Sequence, residues 1–182
     1  MSRLLNHNLK FKVWSFDIDG VLNNYPDVWL DFIFQETNER YRSKEEARQI
    51  LGEAYWVIKE KYRTSDYKYQ VPVKPDAKYL ISELKELGDK IIIATTRPFG
   101  RYPFMKKRTE EWLESNNIFF DLLISKEDLY KEDFDIHIDD ELKDILKVKS
   151  RAEYKSYILL SSKEINSEIE GIEIVSSLRM II

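Results

Sequence analysis

Val13-Trp14-Ser15-Phe16-Asp17-Ile18-Asp19-Gly20-Val21 is the stretch on which the reading of this chain turns. An apolar run that reads as a β-strand stops at two carboxylates set two residues apart. Residues i and i+2 share a face within a strand. At its carboxyl end, with Gly20 free to turn sharply, Asp17 and Asp19 can splay around one small ligand. Uncompensated carboxylates at a dry strand end are costly, so a cation or a cationic partner is expected there. The competing reading is a strand followed by an ordinary acidic turn, since Asp and Gly are both turn formers.

Two later segments end in the same way. Lys90-Ile91-Ile92-Ile93-Ala94 is a continuous apolar run, as expected of a strand covered on both faces, and it leads into Thr95-Thr96-Arg97-Pro98, a tip whose hydroxyl and guanidinium suit an anion. Phe134-Asp135-Ile136-His137-Ile138 reads as a third strand, ending in Asp139-Asp140-Glu141. Open α/β sheets bind ligands outside the carboxyl ends of their strands, near the point where strand order reverses. The three tips can therefore converge on one crevice.

In these motifs the chain resembles the haloacid dehalogenase-like (HAD) hydrolase superfamily, whose members are mostly phosphatases. Asp17-Ile18-Asp19-Gly20-Val21 matches the first motif, Thr95 the second and Asp139-Asp140 the fourth, over roughly residues 12 to 160. The Asp-Gly-Val-Leu, Thr-x-Arg-Pro and Ile-Asp-Asp wording is most similar to small deoxyribonucleotidase-like proteins. The third motif, a lysine, is open between Lys126, just after the run Leu122-Leu123-Ile124, and Lys131, nearer the fourth motif. The position after the strand favours Lys126.

The resemblance implies an α/β fold with a doubly wound parallel sheet (HAD-like, Rossmannoid) and a small helical cap inserted after the first strand. It implies hydrolysis of a small phosphomonoester, a 5'(3')-nucleotide among the candidates, in two steps. Asp17 would be the nucleophile that forms an aspartyl-phosphate, and Asp19 the group that protonates the leaving alkoxide and then activates water. Metal would be held by Asp17, the backbone carbonyl of Asp19, and Asp139, with Asp140 behind it. Thr95 would bond a phosphoryl oxygen, the lysine would offset negative charge, and Arg97 can also reach phosphate or else be a surface cation. Electrostatics argues independently for the metal. With carboxylates ~4 Å apart at an effective dielectric of ~20, each like pair costs roughly 4 kcal/mol, and a phosphate dianion must still be admitted. A hard divalent cation with oxygen ligands answers that cost, and Mg²⁺ is the natural one.

Composition bounds the alternatives. The chain has 182 residues, with 33 acids against 29 bases for a net charge of -4, so no basic excess points to duplex nucleic acid. There is no cysteine, hence no disulfide, thiol nucleophile or thiolate metal site. No apolar stretch approaches the roughly 20 residues of a membrane helix, and Met1 to Lys12 lacks the apolar region of a secretory signal. The expectation is a cytoplasmic enzyme acting on a small molecule, away from membranes.

Thr95 lies 78 residues after Asp17, whereas a βαβ unit needs only about 30. The excess defines a helical cap at 24–73, leaving 1–23 and 74–182 as the α/β core. One cap helix opens at Pro26-Asp27 and carries Val28, Trp29, Phe32 and Ile33. A second opens at Ser43, with Glu46 completing a capping box, and puts Ala47, Ile50, Leu51, Ala54, Tyr55, Ile58 and Tyr62 on one face. Val71-Pro72-Val73-Lys74-Pro75 is the return linker. Beyond it, Asp76 can cap a helix with Ala77, Leu80, Ile81, Leu84 and Leu87 inward and Gly88 at its end. A helix near 104–116, a strand over 119–124 and short strands at 157–160 and 172–175 complete the core.

His137, inside an apolar strand, reads as a packed, hydrogen-bonded histidine. Trp29, Phe32, Phe34, Tyr55 and Trp56 can stack a nucleobase, although aromatics on helical faces are more often core. The basic stretch Arg101–Arg108 reads as a solvated face near the crevice mouth. The alternative to an enzyme is a catalytically silent HAD-fold module that binds a ligand or partner. Intact Asp17 and Asp19 favour the enzyme, because a silent module has no need to hold both acids together.

Overall fold

Each apolar run ending in a polar tip forms a strand in the computed structural model, which describes residues 11–152, 154–161 and 168–181. They are β1 (Val13–Phe16), β2 (Lys90–Thr95), β3 (Leu122–Ser125), β4 (Ile136–Asp139), β5 (Ser156–Leu160) and β6 (Ile172–Val175). All pairings are parallel and the order is β3-β2-β1-β4-β5-β6. Since β2 and β3 lie on one side of β1 and β4 to β6 on the other, the winding reverses at β1. The Asp17 tip therefore stands at the switch point of a doubly wound sheet.

Side-chain alternation along the strands feeds two cores. Ile91 and Ile93 join Trp14 and Phe16 against α4 (Pro75–Glu86) and α5 (Pro103–Ser115), while Ile92 and Ala94 face Ile145 and Val148 of α6 (Leu142–Lys149). Ala77, Leu80, Ile81 and Leu84 are the buried face of α4, at spacings of three and four residues. Lys74, rather than Asp76, is the N-cap of α4. Pro75 occupies the first helical turn, where its missing N–H costs nothing, and Asp76 stays in that turn as a negative charge at the positive end of the helix dipole. Leu87, expected inward, is exposed just past the helix. β3 begins at Leu122 rather than at residue 119. Phe119 and Phe120 precede it, half-buried against the first core.

Between β1 and α4 the chain forms α1 (Asp27–Thr37), α2 (Lys44–Leu51) and α3 (Glu53–Thr64). These helices close around their own cluster of Trp29, Phe32, Ile33, Ala47, Tyr55, Ile58 and Tyr62. The sequence pattern suggests one helix from Ser43 to Tyr62, but the structure divides it at Gly52, whose φ of 55° and ψ of -120° only glycine adopts without strain. The break reorients the pattern, leaving Ile50 and Ala54 exposed while Tyr55, Ile58 and Tyr62 stay inside. Half of the capping box forms as expected, with the Ser43 hydroxyl accepting from the Glu46 N–H at 3.1 Å. The Glu46 carboxylate accepts instead from the Arg42 N–H at 2.6 Å. Asn23 and Val73 pair antiparallel where the chain leaves and rejoins the sheet.

No described helix is long and apolar enough to cross a membrane. The amino-terminal stretch read above for signal character lies outside the described residues up to residue 10.

Candidate active site

Asp17 follows β1 directly, and its N–H donates to the Ile138 carbonyl at 3.0 Å, which fixes it beside the β4 tip. The loop beyond it turns at Gly20, with φ 96°. A Cβ there would sit 2.1 Å from an Asp140 carboxylate oxygen, so only glycine admits both the turn and this close approach. Asn23 organises the loop: its Oδ1 accepts from the N–H groups of Gly20 (3.2 Å) and Tyr25 (3.0 Å), and its Nδ2 donates to Asp19 Oδ1 at 2.9 Å.

Between the two candidate lysines the geometry is decisive. Lys126, first residue of a 3₁₀ turn after β3, is buried and places Nζ 2.6 Å from Asp139, 3.1 Å from Asp17 and 3.4 Å from Asp144. Lys131 stands on the surface, paired with Asp128.

The side-chain oxygens of Asp17, Asp139 and Asp140 come within 4.8 Å of one another, and they differ in what already occupies them. Asp139 is fully engaged: Oδ1 accepts from the Glu141 N–H at 3.0 Å, Oδ2 accepts from Lys126, and His137 Nε2 lies 3.3 Å from Oδ2. Asp17 Oδ1, although 3.1 Å from Lys126 Nζ, and Asp140 Oδ1 are buried without a hydrogen bond among the described residues. A cluster of three acids beside the Gly20 turn, two of whose buried carboxylate oxygens accept no hydrogen bond, fits a small divalent cation. Asp140 thus keeps a side-chain oxygen more open than those of Asp139, while both stand in one cluster with Asp17.

The proton affinities show the same need for positive charge. Burial, reinforced by Asp139, Asp19 and Asp140 and opposed by Lys126, holds Asp17 well above the usual carboxylate range. Burial together with Asp139 and Glu141 pushes Asp140 up to about 7. Burial also works against a charged Lys126, but Asp17 and Asp139 outweigh it and raise the lysine. Asp19 behaves oppositely to Asp17: burial would raise it, but Arg97 and Lys68 prevail and hold it well below the usual range.

That Arg97 contact changes the expected role of the side chain. Its guanidinium is buried between the rings of Tyr69 and Trp112, donates to Asp19 from Nη2 (2.8 Å) and Nε (3.4 Å), and donates to Thr109 from Nη1 (3.1 Å). It is buried, not the surface cation considered from sequence, and it holds Asp19 while lining the crevice. Thr95 is buried at the β2 tip, where its hydroxyl accepts from the Arg97 N–H at 3.3 Å. Thr96 is the more exposed of the two and lines the crevice. His137 is fully buried, with Nδ1 3.0 Å from the Ser15 hydroxyl, a packed residue as its strand position implied.

The crevice measures about 210 Å³ and has two walls. The sheet side supplies Asp17, Asp19, Arg97 and Asp140, and the helical segment supplies Tyr25, Lys44, Lys59, Arg63 and Lys68. Lys68 reaches Asp19 at 3.3 Å. These cations were missed in the sequence. Lys59 and Arg63 repeat at helical spacing beside the stripe Tyr55, Ile58 and Tyr62, and a cationic flank next to an apolar stripe ordinarily means a solvated face. The aromatics considered for base stacking are placed elsewhere. Trp29, Phe32 and Tyr55 are the core of the helical segment, with Trp29 5.4 Å from Tyr55 edge-on, and Trp56 lies outside the crevice lining under Arg48.

No family model matches the chain, and no curated protein sequence matches it. Similar solved structures do exist. CbbY from Rhodobacter sphaeroides, in complex with phosphate, is similar at 15% identity over 93% of this chain and 95% of that one, with a TM-score of 0.63. The HAD-hydrolase YfnB from Bacillus subtilis, bound to magnesium, is similar at 14% identity over 94% and 97%, with a TM-score of 0.63. D,D-heptose 1,7-bisphosphate phosphatase from Burkholderia thailandensis is similar at 14% identity over 92% and 94%, with a TM-score of 0.51. At these identities the likeness establishes the fold: the chain has the HAD-like α/β architecture.

Proposed function

We propose that the protein is a magnesium-dependent phosphatase that hydrolyses a small phosphomonoester through an aspartyl-phosphate on Asp17. The observation that carries this reading is the buried arrangement at the strand tips. One ammonium, Lys126, lies within ion-pair distance of both Asp17 and Asp139, inside a cluster of Asp17, Asp139 and Asp140 in which buried oxygens of Asp17 and Asp140 accept no hydrogen bond. The fold is shared with a structure that holds phosphate, with one that holds magnesium, and with a phosphatase, which supports the same chemistry here.

Mg²⁺ would be held by carboxylate oxygens of Asp17 and Asp140 and by the Asp19 carbonyl. When bound, it would supply the positive charge that lets a phosphate dianion approach this acidic floor. The chain's own groups carry the steps. A carboxylate oxygen of Asp17 attacks phosphorus as the bond to the leaving oxygen breaks, and Asp19, ionised at rest beside Arg97 and Lys68, relays to that oxygen the proton that the substrate monoanion brings. Asp19 then takes a proton from the water that splits the aspartyl-phosphate and passes it to the released phosphate, so that both carboxylates end as they began. Arg97 and Asn23 fix where the Asp19 carboxylate sits. Lys126 offsets the charge that gathers on the Asp17 oxygens and the phosphoryl group, and the Thr95 and Thr96 hydroxyls stand at the tip that receives phosphoryl oxygens. The helical segment 24–73 acts as the cap that closes the crevice over the leaving group.

Hydrolysis of an aryl phosphate is expected to need Mg²⁺, to stop with excess chelator and to return when the metal is restored. The Asp17→Asn variant should show neither turnover nor acid-stable phosphoprotein. Undiminished activity in chelator would refute the proposal. A nucleotide remains a candidate substrate within this class, but with Trp29, Phe32 and Tyr55 in the cap core and Phe34 and Trp56 outside the crevice lining, base stacking would have to come from Tyr25, the aromatic side chain in that lining.

A further inference from the structure

Lys59 has no acidic partner in a crevice where every other cation of the cap wall has one. Lys44 pairs with Glu141, Arg63 with Glu60 at 2.6 Å, and Lys68 with Asp19 at 3.3 Å. The Lys59 ammonium instead donates to the Tyr25 hydroxyl at 2.9 Å and lies 4.2 Å over the Trp29 ring, with the rings of Tyr25 and Tyr62 at 4.9 and 5.5 Å. Among the described residues no carboxylate stands within ion-pair distance of it. Aromatic faces attract a cation but do not neutralise it, and a largely buried ammonium without a counter-charge is costly. Lys68, Arg63 and Lys44 surround it with more positive charge, and Asp19, the acid acting on it most strongly, is already claimed by Arg97 and Lys68. The protein thus keeps an amine without a counter-charge on the leaving-group side of its crevice, one that an incoming anion would hold protonated.

Resting on the phosphomonoester reading, we propose that the substrate carries a second anionic group, a carboxylate or a further phosphate, which Lys59 receives. The phosphoryl end belongs to the Asp17 and Lys126 floor, on the opposite wall, so an anion on the leaving group is what completes the cap side. The size of the crevice agrees. At about 210 Å³ it is smaller than the roughly 300–1,000 Å³ typical of sites for drug-sized ligands, which favours a small phosphorylated acid over a nucleoside. Tyr25, bonded to Lys59 and lining the same space, tethers the ammonium at the crevice while the Trp29 ring backs it at 4.2 Å.

Binding of phosphonates, which cannot be hydrolysed, tests this without requiring turnover. In the presence of Mg²⁺, calorimetry would compare alkylphosphonates of two to four carbons with the corresponding phosphonocarboxylates and bisphosphonates. The expected result is that at least one doubly acidic probe binds tenfold or more tightly than its singly acidic partner. In Lys59→Met this ratio should collapse toward one, and in Lys59→Arg it should be largely kept. Equal affinities in the wild type overturn the inference whatever the variants do. An equal loss for both probe types in Lys59→Met also overturns it, because Lys59 would then serve the phosphoryl group. Aryl phosphate hydrolysis, measured in parallel, separates the two proposals. If turnover is intact and there is no preference for the second acid, only this inference fails; if turnover is absent, the phosphatase reading fails as well.

Discussion

Lys126 is the residue that binds the site together, since a single ammonium compensates Asp17 and Asp139 at once. Lys126→Ala is therefore expected to lose about 100-fold or more in kcat, as loss of one preorganised electrostatic contact does. Lys131→Ala, at an exposed pair with Asp128, should change kcat less than twofold under the same conditions. Comparable losses in the two variants would contradict this assignment. At this scale the sequence was legible where chemistry is local. Asp17, Asp19 and Gly20 lie within four residues, a spacing that suggests a ligand site but, until the two later strand tips are added, suits an acidic turn equally well. Lys68 and Arg97 were illegible as partners of Asp19 because they stand 49 and 78 residues from it, and nothing in the sequence singles out Asn23. Asp139 was placed before Asp140 on the resemblance alone, because the sequence does not show which oxygens the Glu141 N–H and Lys126 already occupy.

Among the elements, the strands were the most legible. A parallel strand covered on both faces is a plain apolar run, and its end is marked by the first polar residue. The α2–α3 break was hidden for the opposite reason, since the apolar spacing runs across Gly52 as though the helix continued. The backbone at Gly52 makes the break testable. A Cβ there would meet nothing within 4 Å, so Gly52→Ala carries conformational strain without a steric clash. It is expected to destabilise the protein by about 1–3 kcal/mol, read as a lower urea midpoint with an unchanged slope. A neutral or stabilising result would mean that the sequence prefers one continuous helix after all.

For the whole molecule, the charge left on Lys59 sets a pH dependence. Burial, helped by Lys68, Arg63 and Lys44 and opposed by Asp19, lowers this lysine to about 7 from its ordinary 10.5. Tyr25 and Tyr62, which face it, are raised, mainly by burial, and stay neutral across the range concerned. Between about 7 and 10.5 the unfolded chain holds a proton on Lys59 that the folded chain does not, so folding becomes more favourable as pH rises. The cost is complete below about 7. Lys59→Met is accordingly expected to melt above the wild type at pH 7, by about 2–4 °C if ~1 kcal/mol is recovered. The gap should narrow steadily toward pH 10, and a gap independent of pH would show that Lys59 is not the group concerned. The separate assembly of cap and sheet has one more consequence, drawn from the antiparallel bridge between Asn23 and Val73. Two residues so paired lie about 5 Å apart, a span that a tight turn can close. To the sheet, the whole helical segment is topologically a hairpin loop, so it could be shortened, lengthened or exchanged for another without rethreading a single strand.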